Sequence, residues 1–311
     1  MTKQSTSEIG YLCAAITLLI WASFPIVSRM AGTGVLTLFD VVALRLGVAS
    51  LALSYWWVPR FLNASLRQLS MRQILSFSMV AGLTYPLVAF TAMRFAPASH
   101  GAVILSGALP LLTAALSYYI WKEKPGRVGQ WSLVLVFIGV ALLLATSIWR
   151  TGFDFTMLVG DAILLTASAV WALFTILLKY WKARAFDVTL AAVAVASLVY
   201  LPVYFLLLPS NFAQAGWGEI VFQASYQGLL VPVVAMFTYA RAIEYLGAVK
   251  TVTLLSATPV VGTLMAVGFL GEVLYPGTAL GAMCVFVGAT MGAMVGAAGG
   301  TSGPTRSDEP R

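Results

Sequence analysis

Few residues in this 311-residue chain are of the kinds that make or break bonds, and those few are scattered. His100 is the single histidine, and Cys13 and Cys284 stand far apart in apolar surroundings, where a thiol serves as a small filler. No GxxxxGK[ST] phosphate loop, CxxC or HExxH signature is present, nor a close pair of carboxylates inside an apolar run. The apolar runs hold aromatic and hydroxyl side chains instead. Trp21 and Phe24 share one helical face, and Trp171 and Phe174 repeat that spacing. Tyr85, Ser106, Gln227, Tyr239 and Ser256 fall at comparable depth in other runs. Polar groups at such depth are costly unless they meet partners or water. These nine residues are the candidate substrate-binding set. Their chemistry is binding, with no catalytic residue, metal or cofactor implied.

The elements that must position them follow from composition. Hydrophobic residues make up 60% of the chain and charged residues 9%; a soluble domain carries roughly a quarter charged residues. Mean hydropathy is +0.92. A helix needs about 20 apolar residues to cross a hydrocarbon core. Ten such runs occur, near 9–29, 36–58, 73–95, 98–121, 127–148, 157–179, 187–208, 219–242, 248–270 and 275–297. They are continuous rather than alternating, so they read as helices and not barrel strands. The first is long enough to span and lacks a small-residue cleavage site, so it is read as a helix and not a signal peptide. The expected fold is an all-α membrane protein of ten transmembrane helices.

The net charge of +7 has a direction. With the amino terminus in the cytoplasm, fourteen Lys and Arg residues fall on the cytoplasmic side, among them Arg60, Arg72, Lys122, Lys124, Arg127, Lys179, Lys182 and Arg184. Only Arg29, Arg94 and Arg150 fall opposite. This asymmetry predicts cytoplasmic termini, and it accounts for the basic charge without a nucleic-acid partner.

The chain also writes itself twice. GLTYPLVAF at 82–90 is matched by GLLVPVVAM at 228–236, and IWASF at 20–24 by VWALF at 170–174. FDV at 39–41 and VAS at 48–50 return at 186–188 and 195–197; Pro110, Glu123 and Gly139 meet Pro259, Glu272 and Gly288. Helices 1–5 (1–150) therefore match helices 6–10 (151–297), followed by a tail (298–311) expected to be disordered. An odd number of crossings per copy inverts the second copy, and inverted repeats place a site at their junction near the midplane. A central cavity between the halves is expected.

Prolines 86, 110, 232 and 259 lie near the middles of runs three, four, eight and nine. Each removes a helical hydrogen bond and kinks its helix, freeing the carbonyl four residues earlier. For Pro86 and Pro232 those carbonyls belong to Gly82 and Gly228, which other groups can approach closely. Gly82, Pro86, Pro110, Gly228, Pro232 and Pro259 are the candidate hinges. Among charged residues, Arg45 is placed within partial snorkelling reach of an interface. Asp161 suits the positive end of its helix, and Glu123 and Glu272 are expected to face the start of the next helix.

The P-x12-E spacing at Pro110–Glu123 and Pro259–Glu272, the LR at 44–45 and GDAILLTASAVWAL at 160–173 resemble the EamA branch of the drug/metabolite transporter superfamily. The resemblance covers 9–297 and is nearest to aromatic amino-acid exporters of the YddG type. It implies helices 1, 3, 4, 6, 8 and 9 around a central cavity, export by alternating access across a bacterial inner (plasma) membrane, and a small apolar or aromatic amino acid as substrate; separately, no cofactor is expected, and a monomer in the lipid bilayer is. A multidrug or metabolite exporter, or a nucleotide-sugar or phosphate carrier of the same fold, stays open.

Overall fold

The computed structural model describes residues 3–62, 69–151 and 154–299. Ten helices in it are long and apolar enough to cross a membrane. They are α1 (Lys3–Thr33), α2 (Leu38–Leu62), α3 (Met71–Ala92), α4 (Ala98–Trp121), α5 (Arg127–Thr151), α6 (Phe155–Trp181), α7 (Ala185–Leu207), α8 (Trp217–Leu246), α9 (Ala248–Leu270) and α10 (Pro276–Gly299). No strand occurs among the described residues. The face at which α1 begins is called the near face below, and the opposite one the far face. The expected tail 298–311 lies outside the described residues, apart from Ala298 and Gly299 at the end of α10.

Local chemistry sets the ends. Ser70 and Gln73 form a reciprocal capping box at the start of α3, and Asp154 accepts from the N–H groups of Thr156 and Met157 at the start of α6. Lys122 and Gly271, equivalent positions in the two copies, end α4 and α9 in the left-handed conformation at φ 57° and 67°. The glutamate that follows each of them is thereby turned out of its helix.

The midplane prolines have different outcomes. In α3 the turn over Ser78–Thr84 widens into a π-helix, and the Tyr85 N–H reaches back five residues to Val80. In α8 the π-helix spans Ala224–Val234, and the Ala235 N–H reaches Leu230. A proline N–H is missing in either register, and a π segment spreads that defect over a bulge. The register moves the consequence. With five-residue bonds around Pro232, the carbonyl left without its donor is that of Gln227, not of Gly228. The α9 helix breaks between Leu255 and Thr258, just before Pro259, whereas α4 continues through Pro110 as one helix.

The glycines at the two π segments serve helix approach. A methyl group on Gly82 of α3 would lie 2.7 Å from the Ala196 Cβ of α7. One on Gly228 of α8 would lie 2.5 Å from the Val48 Cβ and 2.9 Å from the Leu44 carbonyl of α2. The broken helix of each half thus packs on an unbroken helix of the other, in matched fashion. The pair α5 and α10 repeats this symmetry: Gly139 abuts the Gly281 carbonyl, and Gly288 abuts that of Ser132. Since 132 and 281 are equivalent, as are 139 and 288, the two contacts exchange under a two-fold rotation. The copies are inverted repeats crossed into one another.

Gly228→Val should therefore force α8 off α2, at a cost of about 1–3 kcal/mol for overpacking. Thermal unfolding in detergent should show a clear drop in midpoint. Gly268→Ala, where a methyl meets nothing within 4 Å, should leave the midpoint in place.

Candidate functional site

Aromatic residues of α1, α3 and α6 form one continuous run. The Tyr85 ring lies 4.6 Å from that of Trp171 and 6.4 Å from that of Phe24. Trp171 is 5.0 Å from Phe174, which meets Phe77 at 5.8 Å, and Phe77 meets Trp181 at 5.3 Å. Phe90 adjoins Phe24 at 6.1 Å on the far side. Of the nine candidates, Phe24, Tyr85, Trp171 and Phe174 are thus brought together. Trp21 and Tyr239 form a second pair, 5.2 Å apart, between α1 and α8. Ser106 lies half-buried in α4. Ser256 stands apart, donating to Thr253 and sharing a 2.6 Å hydrogen bond with Thr290 of α10.

Gln227 is fully buried in the α8 bulge, 3.4 Å from Ser28 Oγ through its amide nitrogen. Beside it, Tyr226 donates to the Ile20 carbonyl at 2.5 Å and meets Ser23 Oγ at 2.7 Å, tying α8 to α1. Arg45 was expected to snorkel but turns inward instead. Its Nη1 lies 3.4 Å from both the Gln227 carbonyl and Oε1, longer than the usual 2.7–3.2 Å or so. The attraction is the orphan carbonyl, which exists only because α8 takes the π register at Pro232. No carboxylate lies within ion-pair distance of Arg45 among the described residues. Insertion scales put an arginine at membrane depth at about 2.5–3.5 kcal/mol, so this uncompensated cation is a costly feature. Sequence reasoning missed its direction; a deep cation without an acid in any neighbouring run was the available signal.

The remaining polar contacts are unequal between the faces. At the far face, Glu272 after α9 accepts from Ala98 N at 2.6 Å and Ser99 N at 3.0 Å, capping α4. This helix belongs to the other half, not to the next helix in the chain as the sequence suggested, because the crossed repeats bring α4 and α9 side by side. Glu219 Oε1 accepts from the N–H groups of Val35 and Leu36, Arg29 donates to the Met93 carbonyl, and the His100 and Asp161 side chains meet at 2.8 Å. Asp40 gathers Tyr204, Ser210, Thr37 and the Asn211 N–H. At the near face, the repeat mate of Glu272 behaves otherwise. Glu123 pairs with Lys179 of α6 at 2.5 Å, both half exposed, and the start of α9 has no side-chain cap. Ala98, Ser99 and His100 are buried, whereas Ala248, Val249 and Lys250 are exposed. Burial along α4 agrees: Ala98–Ile104 are all buried, and no residue from Leu109 to Trp121 is. The α4 and α9 helices are closed on each other at the far face and parted at the near face.

The match to known sequences has the same two-part layout. The EamA-like transporter family model covers residues 8–145 and again 158–293. The chain belongs to the EamA-like transporter family. A Bacillus subtilis relative, the uncharacterized transporter YwfM, is 27% identical over 66% of this chain and 67% of its own length. A second from that organism, the uncharacterized transporter YyaM, is 26% identical over 64% of this chain and 65% of its own length. An uncharacterized transporter of Clostridium kluyveri is 20% identical over 90% of this chain and 91% of its own. A crystal structure titled only as that of a protein superposes with a TM-score of 0.62, at 16% identity, over 94% of this chain and 99% of that one; it shares the fold. These matches define a multi-pass membrane transporter.

Glu272→Ala would leave two helix N–H groups unpaired, a cost of about 1–3 kcal/mol. In a background with Cys13 and Cys284 replaced by alanine, Ala98→Cys should resist an impermeant maleimide and become reactive once Glu272→Ala is added. Ala248→Cys should react in both backgrounds.

Proposed function

We propose that this EamA-like chain exports aromatic or apolar amino acids across a bacterial plasma membrane by alternating access, as a monomer with its near face in the cytoplasm. The observation that carries the substrate reading is the Phe24–Tyr85–Trp171–Phe174 run. Ring faces at membrane depth suit an aromatic side chain, through offset and edge contacts together with burial of apolar area. Orientation rests on the basic residues gathered at the near face. With that orientation the parted ends of α4 and α9 admit solute from the cytoplasm while Glu272 keeps the far face shut.

The repeat supplies the opposite state. Glu123 and Glu272 are equivalent, as are Lys179 and Arg29 at the ends of α6 and α1. In the outward state Glu123 would leave Lys179 for the N–H groups at the start of α9, and Glu272 would release Ala98 and Ser99 for Arg29. Each glutamate has two alternative partners, and only one of the two glutamates caps a helix at a time. The hinges for this exchange are the bulges before Pro86 and at Pro232 and the break before Pro259.

A multidrug exporter of lipophilic cations fits less well, because Arg45 sets a positive charge beside the aromatic run. A carrier of phosphorylated metabolites is the second reading, and Arg45 is the observation that favours it. Counterflow in liposomes with labelled phenylalanine decides between them. Phenylalanine, tryptophan and leucine should compete, whereas tetraphenylphosphonium and sugar phosphates should not. Trp171→Ala should weaken phenylalanine exchange about tenfold, the scale of one lost aromatic contact. Absence of amino-acid exchange, with cation or sugar-phosphate exchange in its place, overturns the reading.

A further inference from the structure

We infer that Arg45 and the Tyr85 hydroxyl form the anchoring site for a carboxylate group of the transported solute, an inference that rests on the transport reading above and names the charge its substrates carry. Arg45 offers five N–H donors in a planar fork. Only Nη1 is engaged, by the two long contacts to Gln227. The fully enclosed polar atoms without partners among the described residues are Asp161 Oδ2, Gln223 Oε1 and Thr253 Oγ1. None belongs to Arg45 or Tyr85, so their unengaged donors border open space. Arg45 stays half-buried at this depth, flanked by the buried Tyr226 and Gln227.

Tyr85 is the second element. Its ring and Leu44, the neighbour of Arg45, pack against one buried cluster that includes Tyr226, and the phenols of Tyr85 and Tyr226 lie within electrostatic range of the guanidinium. Tyr226 spends its hydroxyl on Ile20 and Ser23, whereas no hydrogen bond among the described residues engages that of Tyr85. The unengaged Nε–Nη2 edge of a guanidinium matches a carboxylate bidentately, and a phenol can add a third bond. The Tyr85 ring also touches Trp171 and Phe24. One residue thus joins the anion anchor to the aromatic run. One cation neutralises one negative charge. A phosphate monoester would bring a second that nothing nearby offsets. The class assigned is therefore a monocarboxylate carrying an apolar or aromatic group.

Occupation would also act on the hinge. A carboxylate competes with the Gln227 carbonyl for the guanidinium, so binding and the shape of the α8 bulge are linked.

The test compares 3-phenylpropionate, phenylalaninamide, phenethylamine and phenyl phosphate as competitors of labelled phenylalanine in counterflow. Phenylpropionate should compete, and the amide and the amine should be weaker by about tenfold or more. Arg45→Gln should abolish that discrimination, and Arg45→Lys, which keeps charge but not the fork, should fall between. Tyr85→Phe should lower affinity for carboxylates alone, and it covers the case in which Arg45 variants fail to fold. Equal competition by the amide in the unmodified protein, or discrimination retained in Arg45→Gln, overturns the anchor. Stronger competition by phenyl phosphate replaces the carboxylate assignment with a phosphate one. If phenylalanine is not exchanged at all, the amino-acid reading fails separately. The anchor is then read from thermal stabilisation by phenylpropionate, which should be present in the unmodified protein and lost in Arg45→Gln; its absence from both overturns the anchor.

Discussion

Two prolines deep in the bilayer each remove a hydrogen-bond donor where no water stands ready to replace it, and much of the structure answers that loss. A lipid-exposed helix could not tolerate the defect. The chain places both in α3 and α8, spreads each over a π bulge, and packs the bulge against a helix of the other half. The glycines at 82 and 228 make that packing close enough to shield the irregular backbone. Inverted duplication then follows as a convenience of geometry, since each half shelters the weak point of the other. The cation of Arg45, otherwise inexplicable at this depth, is drawn to the carbonyl that Pro232 leaves open.

Much of the fold was legible because membrane helices are written in length and apolarity alone. The ten runs read from the sequence lie within a few residues of the ten helices. The repeat was legible because motifs such as IWASF and VWALF keep their order and spacing. Harder to read was anything that depends on register. A proline in an α-helix frees the carbonyl four residues back; in a π segment it frees the one five back. That single-residue difference moves attention from Gly228 to Gln227, and it turns Arg45 from a snorkelling residue into an interior one. Pro110 carries the same sequence signal as Pro86, yet α4 absorbs it without a break.

The partners of charged residues were the other hidden layer. Glu272 was expected to face the helix next along the chain, because sequence shows neighbours in order and not across a crossed repeat. His100 had no companion within its own run, and its contact with Asp161 spans 61 residues. Ser256 resembled a site residue by its nearness to Pro259. The break before that proline instead points its hydroxyl to α10, a side of α9 that no periodicity distinguishes. Depth was readable for all of these residues. Direction was not.

Near-symmetry of sequence and asymmetry of structure are compatible here for a physical reason. The two glutamates have equivalent places, but Glu272 caps α4 while the start of α9 has no side-chain cap. Glu123 instead makes an exposed pairing with Lys179 that is worth little, in the range of about 0–1 kcal/mol for a surface ion pair. The far-face contacts are better shielded, since Ala98 and Ser99 are buried where Lys179 and Glu123 are half exposed. On the proposed transport cycle, this arrangement is the near-open form. On the proposed transport cycle, a solute that draws Arg45 away from Gln227 would act on the α8 bulge, where a small change in preference would be enough to move the balance.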